Sequence, residues 1–150
     1  MIDKEGVCSF DIQGLEQVIK DVKTLYNGEE KVYITGLEAG AHLVWATAFL
    51  HPQWLYGAAP VSGNYIGRCI IENKEAMGQD RSLPIHSFYG SKDDIWKLFE
   101  VQDQKVRSLA IRNGFNSVSI SSIDGKGHER IENEILGYFN ELYKERLNKH

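Results

Sequence analysis

Three groups of side chains in this sequence could do chemistry together: Glu38, the neighbours Asp93 and Asp94, and His128. Glu38 is the centre of Gly36-Leu37-Glu38-Ala39-Gly40, where a β-branched run, Lys31-Val32-Tyr33-Ile34-Thr35, gives way to an alanine-rich stretch. A residue held between a strand and a helix in this way sits in a tight, strained turn, and glycines on either side let the two backbones pass. A carboxylate there meets the helix N-terminus, whose dipole favours negative charge. Asp93 and Asp94 lie in Gly90-Ser91-Lys92-Asp93-Asp94, and His128 in Gly125-Lys126-Gly127-His128-Glu129. An imidazole oriented by a carboxylate is acid–base machinery. A third polar group facing it is where a nucleophile would stand.

The elements that must position these groups alternate. Ile12, Leu15, Val18, Ile19, Val22, Leu25 and Tyr26 recur at helical spacing until Asn27-Gly28. A strand over 31–35 follows, then a helix from Ala39 that Pro52 closes. Leu55 to Val61 reads as a second strand, punctuated by Ser62-Gly63-Asn64. A short helix is predicted over Asn73 to Met77, and a third strand over Pro84 to Tyr89. Ile95, Leu98, Val101, Val106 and Leu109 mark a helix stopped by Asn113-Gly114. Ser117 to Ile123 alternates Val118 and Ile120 with serines, as a strand towards a sheet edge does. Ile131, Ile135, Phe139 and Leu142 define a last helix. Alternation of this kind predicts an α/β fold: a mostly parallel sheet of about four strands between helices on both faces. In such sheets sites collect at the C-terminal ends of the strands. Glu38 follows the first strand, Asp93 the third and His128 the fourth.

The whole chain has 150 residues, 42% hydrophobic and 25% charged, as expected of one globular domain with a true core. A net charge of -4 gives no reason to expect nucleic acid or an anionic membrane as partner. No apolar run approaches the roughly 20 residues that span a bilayer. Met1 to Gly6 has no signal-peptide core, so a cytoplasmic chain is expected if Met1 is the true start. Cys8 and Cys69 fit no metal spacing and read as two small thiols; a disulfide would require an exported protein. No cofactor and no metal are expected.

The chain resembles the C-terminal half of an α/β-hydrolase, of the polyhydroxybutyrate-depolymerase and feruloyl-esterase type, from about Asp11 to about Tyr143. The resemblance rests on Val32-Tyr33-Ile34-Thr35-Gly36-Leu37-Glu38-Ala39-Gly40, on His51-Pro52, on Ala58-Ala59-Pro60-Val61-Ser62-Gly63, on Gly90-x-x-Asp93 and on Gly127-His128. It implies one hydrolase-like domain over 1–150 that lacks the N-terminal strands of the full fold. Its turn motif is the nucleophile elbow, Gly-x-Ser-x-Gly, with Glu in place of Ser. The order Glu38, Asp93, His128 follows the family's Ser…Asp…His order. The resemblance implies that Asp93 is the acid, with Asp94 the competitor, that His128 is the base, and that the Ala39 N–H belongs to the oxyanion hole.

Further expectations are weaker in kind. His42, one turn past Glu38, and Asn64, Tyr65 and Arg68, after the second strand, could line a substrate pocket; a helix histidine with its own partner and a solvated loop are the plainer readings. His86 reads as structural, and Trp45, Trp54 and Trp96 as core or pocket wall. The substrate expected is a small-molecule ester or a carbohydrate-linked one, with ester chemistry altered or lost through Glu38. The alternative is a binding or interaction module that keeps the pocket. In the full fold the strand over 31–35 is central. Its outer edge is therefore expected to be covered by a second copy, by a separate chain, or by Gly6 to Phe10 folded back as a strand.

Overall fold

The computed structural model describes residues 4–63 and 81–149. The elements run α1 (Lys4–Tyr26), β1 (Val32–Leu37), α2 (Ala39–Leu50), a 3-10 turn (Pro52–Trp54), β2 (Leu55–Val61), β3 (Ile85–Gly90), α3 (Trp96–Arg112), β4 (Val118–Ile123) and α4 (Glu132–Leu147). The strands form one parallel sheet in the order β1-β2-β3-β4. Chain order and sheet order coincide, so every crossover steps in the same direction and the C-terminal strand ends share one border.

Alternation along the strands sorts their side chains to two faces. One face carries Ile34, Leu55, Ala58 and Ile85, closed over by Ile12 of α1, by Val44, Trp45 and Phe49 of α2, and by Val106 and Leu109 of α3. The other carries Ala59, Val61 and Phe88 against Ile131 and Ile135, where α4 begins. Helices therefore lie on both faces, and the expected α/β architecture is the one observed. α2 is apolar nearly all round because both its neighbours and the sheet bury it, and seven of its residues are inaccessible.

Several sequence expectations need correction. Gly6 to Phe10 is not a strand but part of α1, which starts well before Ile12. Cys8 and Ile12, one turn apart, are both buried, so this stretch gains more as a helix face than as an edge strand. Cys8 is disulfide-bonded rather than a thiol; Cys69 lies outside the described residues. The apolar face expected for α3 holds at Val106 and Leu109 and fails over its first turns. Ile95, Leu98 and Val101 are exposed, while Phe99, Asp103, Val106, Leu109 and Ala110 point inward. A buried aspartate interrupts the apolar period and hides the true face. The helix read over Asn73 to Met77 lies outside the described residues.

Candidate functional site

The site is built at the C-terminal border of the sheet, and close backbone approaches fix it. β1 ends at Leu37 and Glu38 follows at φ 54°, ψ −109°, a left-handed conformation that costs a non-glycine residue on the order of 1–3 kcal/mol. Its N–H donates to the Val61 carbonyl at 2.9 Å and its C=O accepts from the Ala41 N–H at 3.0 Å, so both sides of the turn are held. The flanking glycines have the expected reason. A Cβ on Gly36 would lie 2.5 Å from backbone atoms of Gly40, and one on Gly63 would lie 2.1 Å from the Ala41 Cβ.

The loops after β3 and β4 are held together in the same manner. A Cβ on Gly90 would lie 2.3 Å from the carbonyl oxygens of Lys126 and Gly127. The Lys92 N–H donates to Lys126 O at 2.8 Å. Ser91 Oγ donates to Asp124 Oδ1 at 3.1 Å and accepts from the Gly125 N–H at 3.0 Å. His128 is thereby delivered to Asp93. Its Nδ1 lies 2.7 Å from Asp93 Oδ2, and the other oxygen, Oδ1, accepts the Ile95 N–H at 3.1 Å. Asp93 is 2% exposed, whereas Asp94 is exposed to solvent. Of the two neighbours, Asp93 makes the contact.

The opposite ring nitrogen, Nε2, faces Glu38 Oε2 at 3.7 Å. That is an ion-pair distance, not a hydrogen bond. The Glu38 side chain is 73% exposed and His128 is 36% exposed, so Glu38 is open to solvent while the imidazole is partly sheltered. Phe99 supplies some of that shelter, its ring stacked on His128 with centroids 5.9 Å apart. The hydrogen bond that His128 donates to Asp93 raises the His128 pKa above its ordinary value, against a lowering by burial; the charges of Asp93 and Glu38 add to the rise. Asp93, His128 and Glu38 thus form a carboxylate–imidazole–carboxylate array, with the imidazole anchored at one end and facing an open carboxylate at the other.

The remaining expected residues do not all join this array. Ala39 is exposed at the start of α2, where backbone N–H groups lack intrahelical partners. His42 is half-buried in the next turn. Asn64, Tyr65 and Arg68 lie outside the described residues. His86 is structural in its contacts: its Nε2 pairs with Ser121 Oγ at 2.8 Å and its ring stacks on Phe88. Trp45 is wholly buried in the core. Two features of the site were not read from the sequence. Phe99 was hidden by the misjudged face of α3. Ser62 takes φ 45° and is 2% exposed, and among the described residues its Oγ has no hydrogen-bond partner; its neighbour Gly63 marks the crowding at that turn.

Among the described residues, cavities open at both ends of the strands. One of about 490 Å³ opens beside the elbow, lined by Gly36, Leu37, Val61, Arg130, Glu132 and Ile135 among others. The other, of about 500 Å³, lies at the far end of the strands, lined by Lys31, Leu55, Pro84, Ser117 and Arg146 among others. The second lies at the N-terminal ends of the strands, and none of Glu38, Asp93 and His128 lines it. The first is lined by Leu37, the residue before Glu38, and by Arg130, two residues past His128. Among the described residues no cluster of His, Cys, Asp and Glu could hold a metal, and no helix is long and apolar enough to cross a membrane.

No family model and no curated protein matches the sequence. Solved structures do. Arabidopsis thaliana SOBER1 matches with a TM-score of 0.70 and 20% identity, over 98% of this chain and 67% of that one. Esterase PE8 matches with a TM-score of 0.69 and 15% identity, over 94% of this chain and 63% of that one. The Bacillus cereus carboxylesterase matches with a TM-score of 0.67 and 14% identity, over 91% and 61%. The chain therefore spans about two thirds of the length of these neighbours. At such identities the likeness speaks for architecture alone, and the architecture is that of the α/β-hydrolases.

Proposed function

We propose that this chain is an esterase-type hydrolase domain whose nucleophile has been exchanged for a carboxylate, leaving a site that takes up small esters or carbohydrate-linked esters without acyl transfer. The observation that carries the reading is Glu38. It occupies the strained turn between β1 and α2, 3.7 Å from an imidazole that Asp93 holds at 2.7 Å. The neighbours include an esterase and a carboxylesterase, and these, with the resemblance to the polyhydroxybutyrate-depolymerase and feruloyl-esterase type, support the substrate class.

The chemistry follows from what each group can do. Asp93 accepts the Nδ1 proton of His128 and so fixes the ring with Nε2 towards the elbow. With a hydroxyl there, Nε2 would remove its proton during attack. A carboxylate has no such proton to give, so the base is left without that task. Attack by Glu38 on an acyl ester would form an anhydride, a poor route to turnover. Carboxylate attack at an alkyl carbon would instead break that carbon's bond to its leaving group, which departs with the electron pair, and give an ester for a His-activated water to cleave. The Ala39 N–H would be one donor of an oxyanion hole, and loss of one such donor costs roughly 3–4 kcal/mol of transition-state stabilisation.

The test is hydrolysis of nitrophenyl acetate. The native chain is expected to show almost none. Glu38→Ser is expected to gain a trace of turnover that the further change His128→Ala removes. Vigorous turnover by the native chain, abolished by Glu38→Gln, would overturn the reading in favour of carboxylate catalysis.

A further inference from the structure

His128 stands between two carboxylates. Its Nδ1 is 2.7 Å from Asp93 Oδ2 and its Nε2 is 3.7 Å from Glu38 Oε2. Either carboxylate can accept from an imidazole, and a neutral ring has a single N–H to give. Asp93 is buried, and its other oxygen is committed to the Ile95 N–H. Glu38 is open to solvent at the end of a longer side chain, so it can follow a ring that turns towards it. Keeping the imidazole on Asp93 therefore calls for something that opposes the turn.

The first turn of α3 supplies it. The Ile95 N–H donates to Asp93 Oδ1 at 3.1 Å, and the Phe99 N–H donates to Ile95 O at 3.3 Å, so one residue at the helix start links the carboxylate to Phe99. Phe99 then comes back over the imidazole that Asp93 holds, with the two rings 23° from parallel and their centroids 5.9 Å apart, within the range of stacked aromatic pairs. Phe99 is buried, yet among the described residues it joins neither apolar core. One turn further along the same face, Asp103 accepts from Ser87 Oγ at 3.0 Å, which fixes the helix to the strand that leads to Asp93. A large buried ring outside the core, set against an imidazole and tied to that imidazole's partner, is placed to hold an orientation.

We propose that Phe99 is a positioning residue of this site, a flat wall that keeps His128 on Asp93 and stops the ring from turning to Glu38. The consequence is tautomeric. On Asp93 the neutral imidazole carries its proton on Nδ1 and leaves Nε2 bare towards the elbow, the form that a base at that point requires. On Glu38 the proton would sit on Nε2, and the base would be lost. A ring that only filled space would leave the balance of the two forms unmoved by its shape. The role rests on the reading of His128 as the base of the site, but the position of a ring proton is measured without any ester being turned over, so hydrolysis and tautomer fail separately.

The test is nitrogen NMR of the His128 ring in the full chain, at a pH where the ring is neutral, since the shifts of Nδ1 and Nε2 report which of them carries the proton. The native chain is expected to show the Nδ1–H form alone. Phe99→Leu keeps an apolar side chain there without a flat face and is expected to bring in the Nε2–H form as a substantial fraction. Adding Glu38→Gln removes the competing charge and is expected to return the ring to the Nδ1–H form. Phe115→Leu makes the same change in the core, where Phe115 packs on Phe49, and is expected to leave the His128 ring as it is in the native chain. Circular dichroism checks each fold, and Phe99→Met replaces Phe99→Leu if the latter does not fold. An unmoved tautomer in the Phe99 variant overturns the proposal, as does an equal shift in Phe115→Leu or a ring that stays mixed when Glu38→Gln is added. Failure of both Phe99 variants to fold would make the residue part of the core and overturn it too.

Discussion

Asp103 sits on the inward face of α3, 2% exposed, with Ser87 Oγ donating to its Oδ1 at 3.0 Å. Burial raises its pKa from 3.8 to about 7, and the Ser87 hydrogen bond offsets only part of that rise. A carboxyl whose folded pKa is raised leaves stability intact below its unfolded pKa. Stability is then lost as pH climbs from about 4 to about 7, because the folded state holds a proton that the unfolded state has released. At about 1.4 kcal/mol per pH unit, the displacement from 3.8 to about 7 amounts to roughly 4 kcal/mol. Asp103→Asn preserves the volume and an acceptor for Ser87 but removes the ionisation. Relative to the native chain at pH 4, the variant should therefore gain roughly 4 kcal/mol by pH 8, or about 10 °C in melting temperature for a chain of this size. Urea denaturation of both proteins at pH 4, 6 and 8 measures the difference. Parallel pH profiles would refute the reasoning and place the carboxylate in contact with water or a cation.

Other outcomes follow from the site and its frame. Glu38→Gln should lower the pKa of His128 towards its ordinary value, read by NMR titration of the ring; since that pKa is raised in the folded state, the stability His128 contributes is present at low pH and fades as pH rises through it. Glu38→Gly should stabilise the chain by about 1 kcal/mol in thermal melts, because glycine relieves the φ of 54° and the gain exceeds its extra chain entropy. Gly90→Ala should cost about 1–3 kcal/mol and more than Gly57→Ala. The new methyl at Gly90 meets backbone oxygens 2.3 Å away, whereas the one at Gly57 meets the movable Cδ1 of Leu142 at 2.5 Å.

Much of this was legible in the residues. Strands and helices came from period and punctuation, and the approach of Glu38, Asp93 and His128 follows from parallel strands in chain order. The choice of Asp93 over Asp94 came from the Gly90-x-x-Asp93 count, and the Gly90 turn buries that carboxylate and leaves Asp94 exposed. Phe99 escaped because Asp103 breaks the apolar period of α3, and a buried acid cannot be told from a surface one by spacing. The helical start of α1 was missed because Gly6 and Ser9 are poor helix formers, and burial of Cys8 and Ile12 outweighs their preference.

At three places around the site, main chain rests directly on main chain or on a single methyl: Gly36 on Gly40, Gly63 on Ala41, and Gly90 on the Lys126–Gly127 carbonyls. A scaffold registered by its backbone is indifferent to what most side chains become. Its positional demands fall on a few glycines, so the rest of the sequence can drift while the frame persists, in keeping with a TM-score of 0.70 at 20% identity. The residue at the tip of the elbow is free in the same sense. Its conformation is dictated by its neighbours and its side chain projects into solvent, so the frame places little constraint on which side chain stands there. What faces His128 can thus be exchanged by a change at one residue while everything beneath it stays in place.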